Sequence, residues 1–346
     1  MVDSYIYLGV KFFYNGGFAQ NINRQVSQAK RALNSLMCKA KILRLPADLV
    51  LELFDQTVLP VLIYGCEVWG FSNLELIETF YRKFLKRVLA IGYTTQNGFV
   101  YGETGRTDLK GVILSRMVGY WLSLVYGRQN KISALLYKFA RYKHYLVGSD
   151  FSSKWLRAIE EGLERLGMQQ VWADGGLGYD PVFIKQSVKL RGIALFDAEW
   201  QHSLQRHIHQ PERDSFRIYR LIKPIRGLSP YILELDFYLR RAVTRFFCRC
   251  NYMPCSDFRL FAPNNEFEGF CHICDREFGD ELHYIFRCPF FERDRARFGL
   301  DVDHMPGTEE DKLVSMMSSN DADQLTSLAR YFYRVLDICE HQALGR

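Results

Sequence analysis

No run of apolar residues in this 346-residue chain approaches the roughly 20 needed to cross a bilayer. The longest, LVLELFDQTVLPVLIYG at 49–65, is broken by Glu52, Asp55 and Pro60. The opening MVDSYIYLGV has no basic region, no long apolar core and no small-residue cleavage site, so it is not a secretory signal. Internal repeats and low-complexity tracts are missing too. So are the His-Glu-x-x-His, Walker and Gly-x-Ser-x-Gly motifs of metallohydrolases, nucleotide-binding enzymes and serine hydrolases. The nine cysteines are odd in number and scattered. Without a signal they suit a reducing intracellular setting, nucleus or cytoplasm, and favour metal ligands or free thiols over disulfides.

What remains is a chain that folds. Nearly half its residues are apolar and 15% are aromatic, which rules out a disordered or collagenous polymer, and its length allows two or three domains. Basic residues outnumber acidic ones 45 to 39; the net +6 permits a nucleic-acid or acidic partner without requiring one.

The pattern predicts a mainly α protein, multi-helical, with a short N-terminal β-hairpin and a small C-terminal zinc-binding module. YIYLGVKFFYNGGF is rich in β-formers and predicts a hairpin from residue 5, with Asn-Gly-Gly as a turn. From Asn21 to Leu45 apolar residues recur at helical spacing. Between 11 and 47 stand Lys11, Arg24, Lys30, Arg31, Lys39, Lys41 and Arg44, and no acid at all. That stretch reads either as a surface facing a polyanion or as a plain solvated face. A second helix is bracketed by Pro46 and Pro60, and VLIYGCEVWG follows as a buried aromatic element. NLELIETFYRKFLKRVLAIG gives a third helix with Arg82, Lys83, Lys86 and Arg87 on a basic face. Further helices are expected at about 109–126, 131–146 and 152–166. ADGGLGYDP is the best domain boundary. A long helix is expected from Val182 to His209, whose His202, His207 and His209 read as surface residues. SFRIYRLIK reads as strand-like. The helix after it places Arg241, Arg245 and Arg249 at i, i+4, i+8 with no matched acids nearby, which suits phosphate contact or an ordinary basic face. Lys312–Glu340 is helical again.

CHICDREFGDELHYIFRC, residues 271–288, carries the most specific pattern. Cys271 and Cys274 have knuckle spacing. His283 and Cys288 have four residues between them, and an eight-residue gap with Gly279 allows the chain to fold back. Three sulfurs and an imidazole in one 18-residue window predict one tetrahedral zinc, with a disulfide or coincidence as the competing readings. Four protein ligands leave no open position, so the ion is expected to be structural. Cys248, Cys250 and Cys255 lack a matching second half and read as core or free thiols.

Several segments together resemble a known family. YLGV, the basic helix, VLPVLIYGCEVW, YRKFLKRVLAIG, FRIYRLIK, YILELDFYLRRAVTRFFCRC and the closing CHIC and DELHYIFRCPFFERDR resemble the region after the polymerase core in reverse transcriptases of LINE-like non-LTR retrotransposons. The Cys-Pro-Phe-Phe at 288–291 matches the family's zinc segment, while 100–210 resembles it weakly. The resemblance implies a palm-hairpin remnant at 1–20, a thumb-like helical domain at 21–172, a helical linker domain at 180–260, a CCHC zinc-binding module at 261–300 and a C-terminal helix region at 301–346. In that family these parts hold RNA and DNA. The family's paired catalytic aspartates lie before the position of YLGV; here only four residues precede Tyr5, and Asp174 in WADGG is no substitute. The family's amino-terminal endonuclease has no counterpart. The resemblance therefore implies a nucleic-acid-binding fragment, not an enzyme. The alternative is a degenerate or co-opted copy that binds a protein partner, and a metal hydrolase is the third reading. No membrane partner is expected.

Overall fold

The computed structural model describes residues 3–14, 16–128, 131–146, 153–209, 214–251, 253, 270–300, 302, 304–319 and 321–343. It is mainly helical, with one two-stranded antiparallel sheet among the described residues. The strands are β1 (Ser4–Tyr7) and β2 (Val10–Phe13), paired Ser4 with Phe13 through Tyr7 with Val10. The helices are α1 (Ala19–Ile42), α2 (Ala47–Thr57), α3 (Leu59–Leu62), α4 (Cys66–Trp69), α5 (Glu75–Leu89), α6 (Asn97–Thr104), α7 (Lys110–Tyr126), α8 (Ile132–Leu146) and α9 (Lys154–Arg165). They continue with α10 (Gln169–Ala173), α11 (Pro181–Gln205), α12 (Arg217–Ile222), α13 (Pro230–Glu234), α14 (Phe237–Phe247), α15 (Glu292–Arg297), α16 (Glu309–Ser318) and α17 (Ala322–Ala343). The chain divides into two compact units: residues 1–81 with 107–199, and 82–106 with 200–346.

In the first unit the hairpin turns at Leu8-Gly9, both with positive φ, not at Asn-Gly-Gly. Asn15 lies outside the described residues. Three bonds fasten the hairpin: Tyr64 Oη and Arg24 Nη1 donate to the carbonyls of Leu8 and Gly9 (2.9 and 3.1 Å), and Lys11 N donates to Asn21 Oδ1 (2.9 Å). Helix α1 buries Ile22, Gln25, Ala29, Leu33, Leu36 and Ala40, a three-four stripe laid on α2 and α3.

The YGCEVWG segment is a sharp corner rather than one continuous element. Gly65 takes a left-handed conformation (φ +70) between α3 and α4, where a Cβ would stand 2.6 Å from Val10. Trp69 closes the corner, its indole N–H donating to the Tyr64 carbonyl (2.9 Å). Helix α4 then packs on α7.

The Gly-rich break does not separate domains. It is a turn tied into the first unit: the Tyr126 hydroxyl lies 2.7 Å from the carbonyl oxygens of both Gly176 and Tyr179 and gives its one proton to this pair, and Gly176 sits against Trp121 and Leu122. The glycines are needed there because Gly175, Gly176 and Gly178 all have positive φ.

The second unit differs from the strand-like expectation at SFRIYRLIK, where the chain forms α12. Burial of Ile218 and Tyr219 on one turn explains the helix. Its interior holds a polar knot. The buried Glu103 carboxylate accepts from Tyr219 Oη (2.8 Å) and Tyr231 Oη (2.5 Å). Burial, then the neighbouring Glu103 charge, pushes both phenols well above their ordinary pKa. Helices α14 and α17 form the unit's main helix pair, with Phe246 stacked on Phe332 at 4.3 Å. The C-terminal helix expected from Lys312 is two helices. Thr308 and Asp311 form a capping box at the start of α16, and α17 follows. Among the described residues no helix is long and apolar enough to cross a membrane.

Candidate metal centre

The knuckle forms because the chain reverses tightly around its two cysteines. Asp275 N donates to the Cys271 carbonyl (2.9 Å), and Asp275 itself takes a left-handed φ of +54. Cys271 N donates back to Glu277 O (2.8 Å), while Phe270 and Phe278 pair as an antiparallel bridge. These bonds make a miniature hairpin with both sulfurs at its tip. The other two ligands come from one π-helical turn, His283–Arg287, closed by Cys288 N donating to His283 O (2.7 Å). The five-residue step of that turn explains the four residues between His283 and Cys288.

The ligand atoms of Cys271, Cys274, His283 and Cys288 all lie within 4.8 Å of one another, and three of the four residues are buried. Ligands in a tetrahedron around zinc stand about 3.5–3.8 Å apart, given Zn–S near 2.3 Å and Zn–N near 2.0 Å. His283 presents Nε2 to Cys274 Sγ at 3.4 Å and Nδ1 to the Glu277 carboxylate at 3.3 Å. A carboxylate behind the far ring nitrogen is the usual support of a metal-binding histidine. Asp280 Oδ1 accepts from His283 N (2.8 Å) and pins the start of the turn. The cluster could hold one metal ion.

A hydrogen bond from Cys288 holds Cys271 down at about 3, and the same bond pushes Cys288 up. Burial pulls His283 down, but the Cys271 sulfur and the Glu277 carboxylate outweigh it, and its pKa lies above the ordinary imidazole value.

Behind the cluster stands a layer of ion pairs. Arg217 Nη2 meets Asp280 Oδ2 at 2.6 Å, Arg287 reaches both Asp280 and Glu277, and Arg249 grips Glu281 with two bonds (2.8 and 3.2 Å). Tyr331 of α17 donates to the Tyr284 carbonyl. Sequence spacing located the four ligands but not Glu277, Asp280 and Glu281. Their signal was present, since the gap DREFGDEL is half acidic.

The structure sorts the basic residues. On α1, Lys30, Arg31, Lys39 and Lys41 are exposed, as is Arg44 just beyond it, and no acid lies within the helix. Arg24 instead anchors the hairpin turn. On α5, Lys83 and Arg87 are exposed and Arg82 is half-buried. Lys86 is buried and donates to the Tyr93 carbonyl (2.8 Å); burial, then the charge of Arg82, lowers its pKa. The row Arg241, Arg245, Arg249 does not form. Helix α14 ends at Phe247, and Arg249 reverses the chain with φ +49. Arg245 pairs with the Cys250 carbonyl (3.0 Å) and Glu340 (3.5 Å), so the acids that sequence spacing could not see are supplied by α17 and by Glu281. Arg241 alone of the three is exposed.

His202, His207 and His209 are exposed. Cys248 is core, and Cys250 Sγ accepts from Gly92 N (3.0 Å). Cys255 lies outside the described residues, as does the start of the module at 261–269.

No family model, no curated protein and no solved structure matches this chain.

Proposed function

We propose that the chain is a nucleic-acid-binding, non-catalytic part of a LINE-like non-LTR retrotransposon reverse transcriptase, with one structural zinc at Cys271, Cys274, His283 and Cys288. The observation that carries the nucleic-acid reading is the outward half of α1. Lys30, Arg31, Lys39 and Lys41, with Arg44 beyond, stand there exposed with no acid on the helix to neutralise them. Zinc is the ion this donor set favours, because three thiolates and one imidazole suit a borderline-soft cation of tetrahedral habit. The retrotransposon origin rests on the quoted sequence segments alone.

Binding to an RNA hairpin and to a DNA duplex, measured across salt, tests the reading. Affinity falls steeply with salt, and Lys30→Gln with Lys39→Gln and Arg44→Gln flattens the duplex slope by about 2.7, roughly 0.9 per lost phosphate contact. An unchanged slope in that triple variant removes α1 as the binding surface. One zinc per chain in purified protein, lost in Cys274→Ser, tests the metal; well-folded protein without zinc ends that part.

A second reading, a co-opted protein-interaction module, is favoured by one feature of α8. Ile132, Leu135, Leu136, Phe139, Tyr142 and Tyr145 lie at helical spacing along one face, and all are exposed. That reading expects a stable protein complex and nucleic-acid affinity that barely responds to salt.

A further inference from the structure

Helix α17 turns a second kind of surface outward. Its inner face is apolar, with Leu328, Phe332, Val335 and Leu336 buried. Its outer face carries Arg330, Tyr333, Arg334, Asp337 and Glu340 at three- and four-residue steps, so they form one row. Beside that row stand Tyr238 and Arg241 of α14, and Arg297 at the end of α15. Two grooves meet at Tyr333. One, of about 400 Å³, is lined by Leu239, Arg297, Phe298, Arg330, Tyr333 and Arg334. The other, of about 270 Å³, runs past Tyr238, Arg241 and Arg245.

The groove has rigid walls and an uneven charge. Phe332 stacks on Phe246 and meets Phe247 edge-on at 5.3 Å, which locks α14 against α17. The carboxylates present are engaged: Asp294 and Asp337 approach Arg334 at 3.9 and 3.7 Å, and Glu340 approaches Arg245 at 3.5 Å. Among the described residues no carboxylate pairs with Arg241, Arg297 or Arg330, and all three are exposed. Tyr333 and Tyr238 stand among them 52% and 67% exposed. Guanidinium groups recognise phosphate oxygens, and an open aromatic ring offers a face to a flat ring. A phosphate chain with accessible bases satisfies both; a duplex does not, because its bases are already stacked.

We propose that this groove takes a single strand of nucleic acid, with a base on Tyr333 and flanking phosphates on Arg297, Arg330 and Arg241. The inference rests on the nucleic-acid reading of the chain but uses none of the α1 residues.

The test is fluorescence anisotropy of the zinc-loaded full chain with labelled dT12, labelled U12 and a 12-base-pair duplex. Tyr333→Ala is expected to weaken single-strand binding about tenfold, the scale of one lost base stack, and Tyr333→Phe to restore it. Duplex affinity is expected to stay put in both. Arg297→Gln with Arg330→Gln is expected to flatten the single-strand salt slope by about 1.4, roughly 0.7 per phosphate. Binding of dT12, U12 or both supports the groove, and the stronger names the strand. Single-strand affinity unchanged within twofold in Tyr333→Ala overturns it, as does an arginine-sensitive affinity indifferent to Tyr333, which would mark a site for an acidic peptide. Duplex binding without single-strand binding sinks the groove and leaves the α1 reading standing. Single-strand binding that survives the Lys30, Lys39 and Arg44 changes, with duplex binding insensitive to them, does the reverse.

Discussion

The two units are held by different means. The first is an apolar helix assembly: Phe54, Leu62, Trp69 and Trp121 have essentially no exposure, and the charged Glu78 is a rare buried exception, accepting from Leu109 N. The second buries Lys86, Glu103, Asp214, Asp280, Glu281, His283 and Arg295. Its interior is a set of partnered polar groups: Glu103 held by two phenols, Asp214 paired with Arg220 at 2.6 Å, and the cysteine–histidine cluster backed by ion pairs. Apolar packing degrades gradually when atoms are removed, because neighbours partly relax into the gap. A buried charge that loses its partner does not degrade gradually, since the survivor is stranded out of water. The first unit should therefore tolerate conservative loss, and the second should fail at single positions.

The largest test of that contrast is the metal. Chelation, or Cys271→Ser, should unfold the 270–291 region, because a bound ion supplies most of the folding energy of so small a loop. Hydrogen exchange should show protection lost there and retained in α1 and α7; retained protection throughout would mean that the ion is not structural. Next, Arg249→Ala strands the Glu281 carboxylate, whose side chain is 2% exposed, and should cost about 3–5 kcal/mol in chemical denaturation. Arg249→Met with Glu281→Leu should recover much of that loss if stranding, not contact area, is the cause. In the first unit the comparable change is Phe54→Ala, about 3–5 kcal/mol from transfer and cavity terms, while Phe54→Leu should cost far less. If Phe54→Leu proves as damaging as Phe54→Ala, the picture of a forgiving first unit is wrong.

The same contrast explains what could be read ahead of the structure. The helices were legible because amphipathic spacing is local: Ile22, Ala29, Leu33, Leu36 and Ala40 announce α1 without reference to anything distant. The metal ligands were legible for the same reason, as all four fall in one short window. The partners of Arg245 and Arg249 are not legible in the sequence, because Glu340 and Glu281 lie 95 and 32 residues away and spacing along a helix says nothing of them. The Leu8-Gly9 turn was passed over for Asn-Gly-Gly because turn propensity favours the latter, whereas Tyr64 and Arg24 reach across to fix the former. Glu103 carried no sequence signal, being one acid in a helix whose other members are neutral.

A smaller effect separates backbone strain from packing within the first unit. Gly65→Ala places a Cβ 2.6 Å from Val10 at a φ of +70, and should cost about 1–3 kcal/mol in a thermal or denaturant melt. Val10→Ala in the same chain removes the clash but not the dihedral penalty. Partial rescue would assign the remainder to the left-handed backbone, and full rescue would assign everything to the contact.

The smallest effect belongs to the surface of the second unit and is read by pH. Asp311 Oδ2 accepts from Thr308 Oγ1 (2.6 Å) and Thr308 N (3.0 Å), and these donors hold its carboxyl below the usual aspartate range. A carboxylate with a depressed folded pKa stabilises fully above its unfolded value of about 3.9, and that support is lost as pH falls through the lower folded value. Wild type should therefore be more stable than Asp311→Ala at neutral pH, and the two should converge below about pH 4. The convergence should be missing from Phe54→Ala, whose deficit is apolar and does not titrate. A gap between wild type and Asp311→Ala that persists unchanged into acid would mean that the box acts through the shape of its loop, and that even at the surface of the second unit charge is not what holds the helix end.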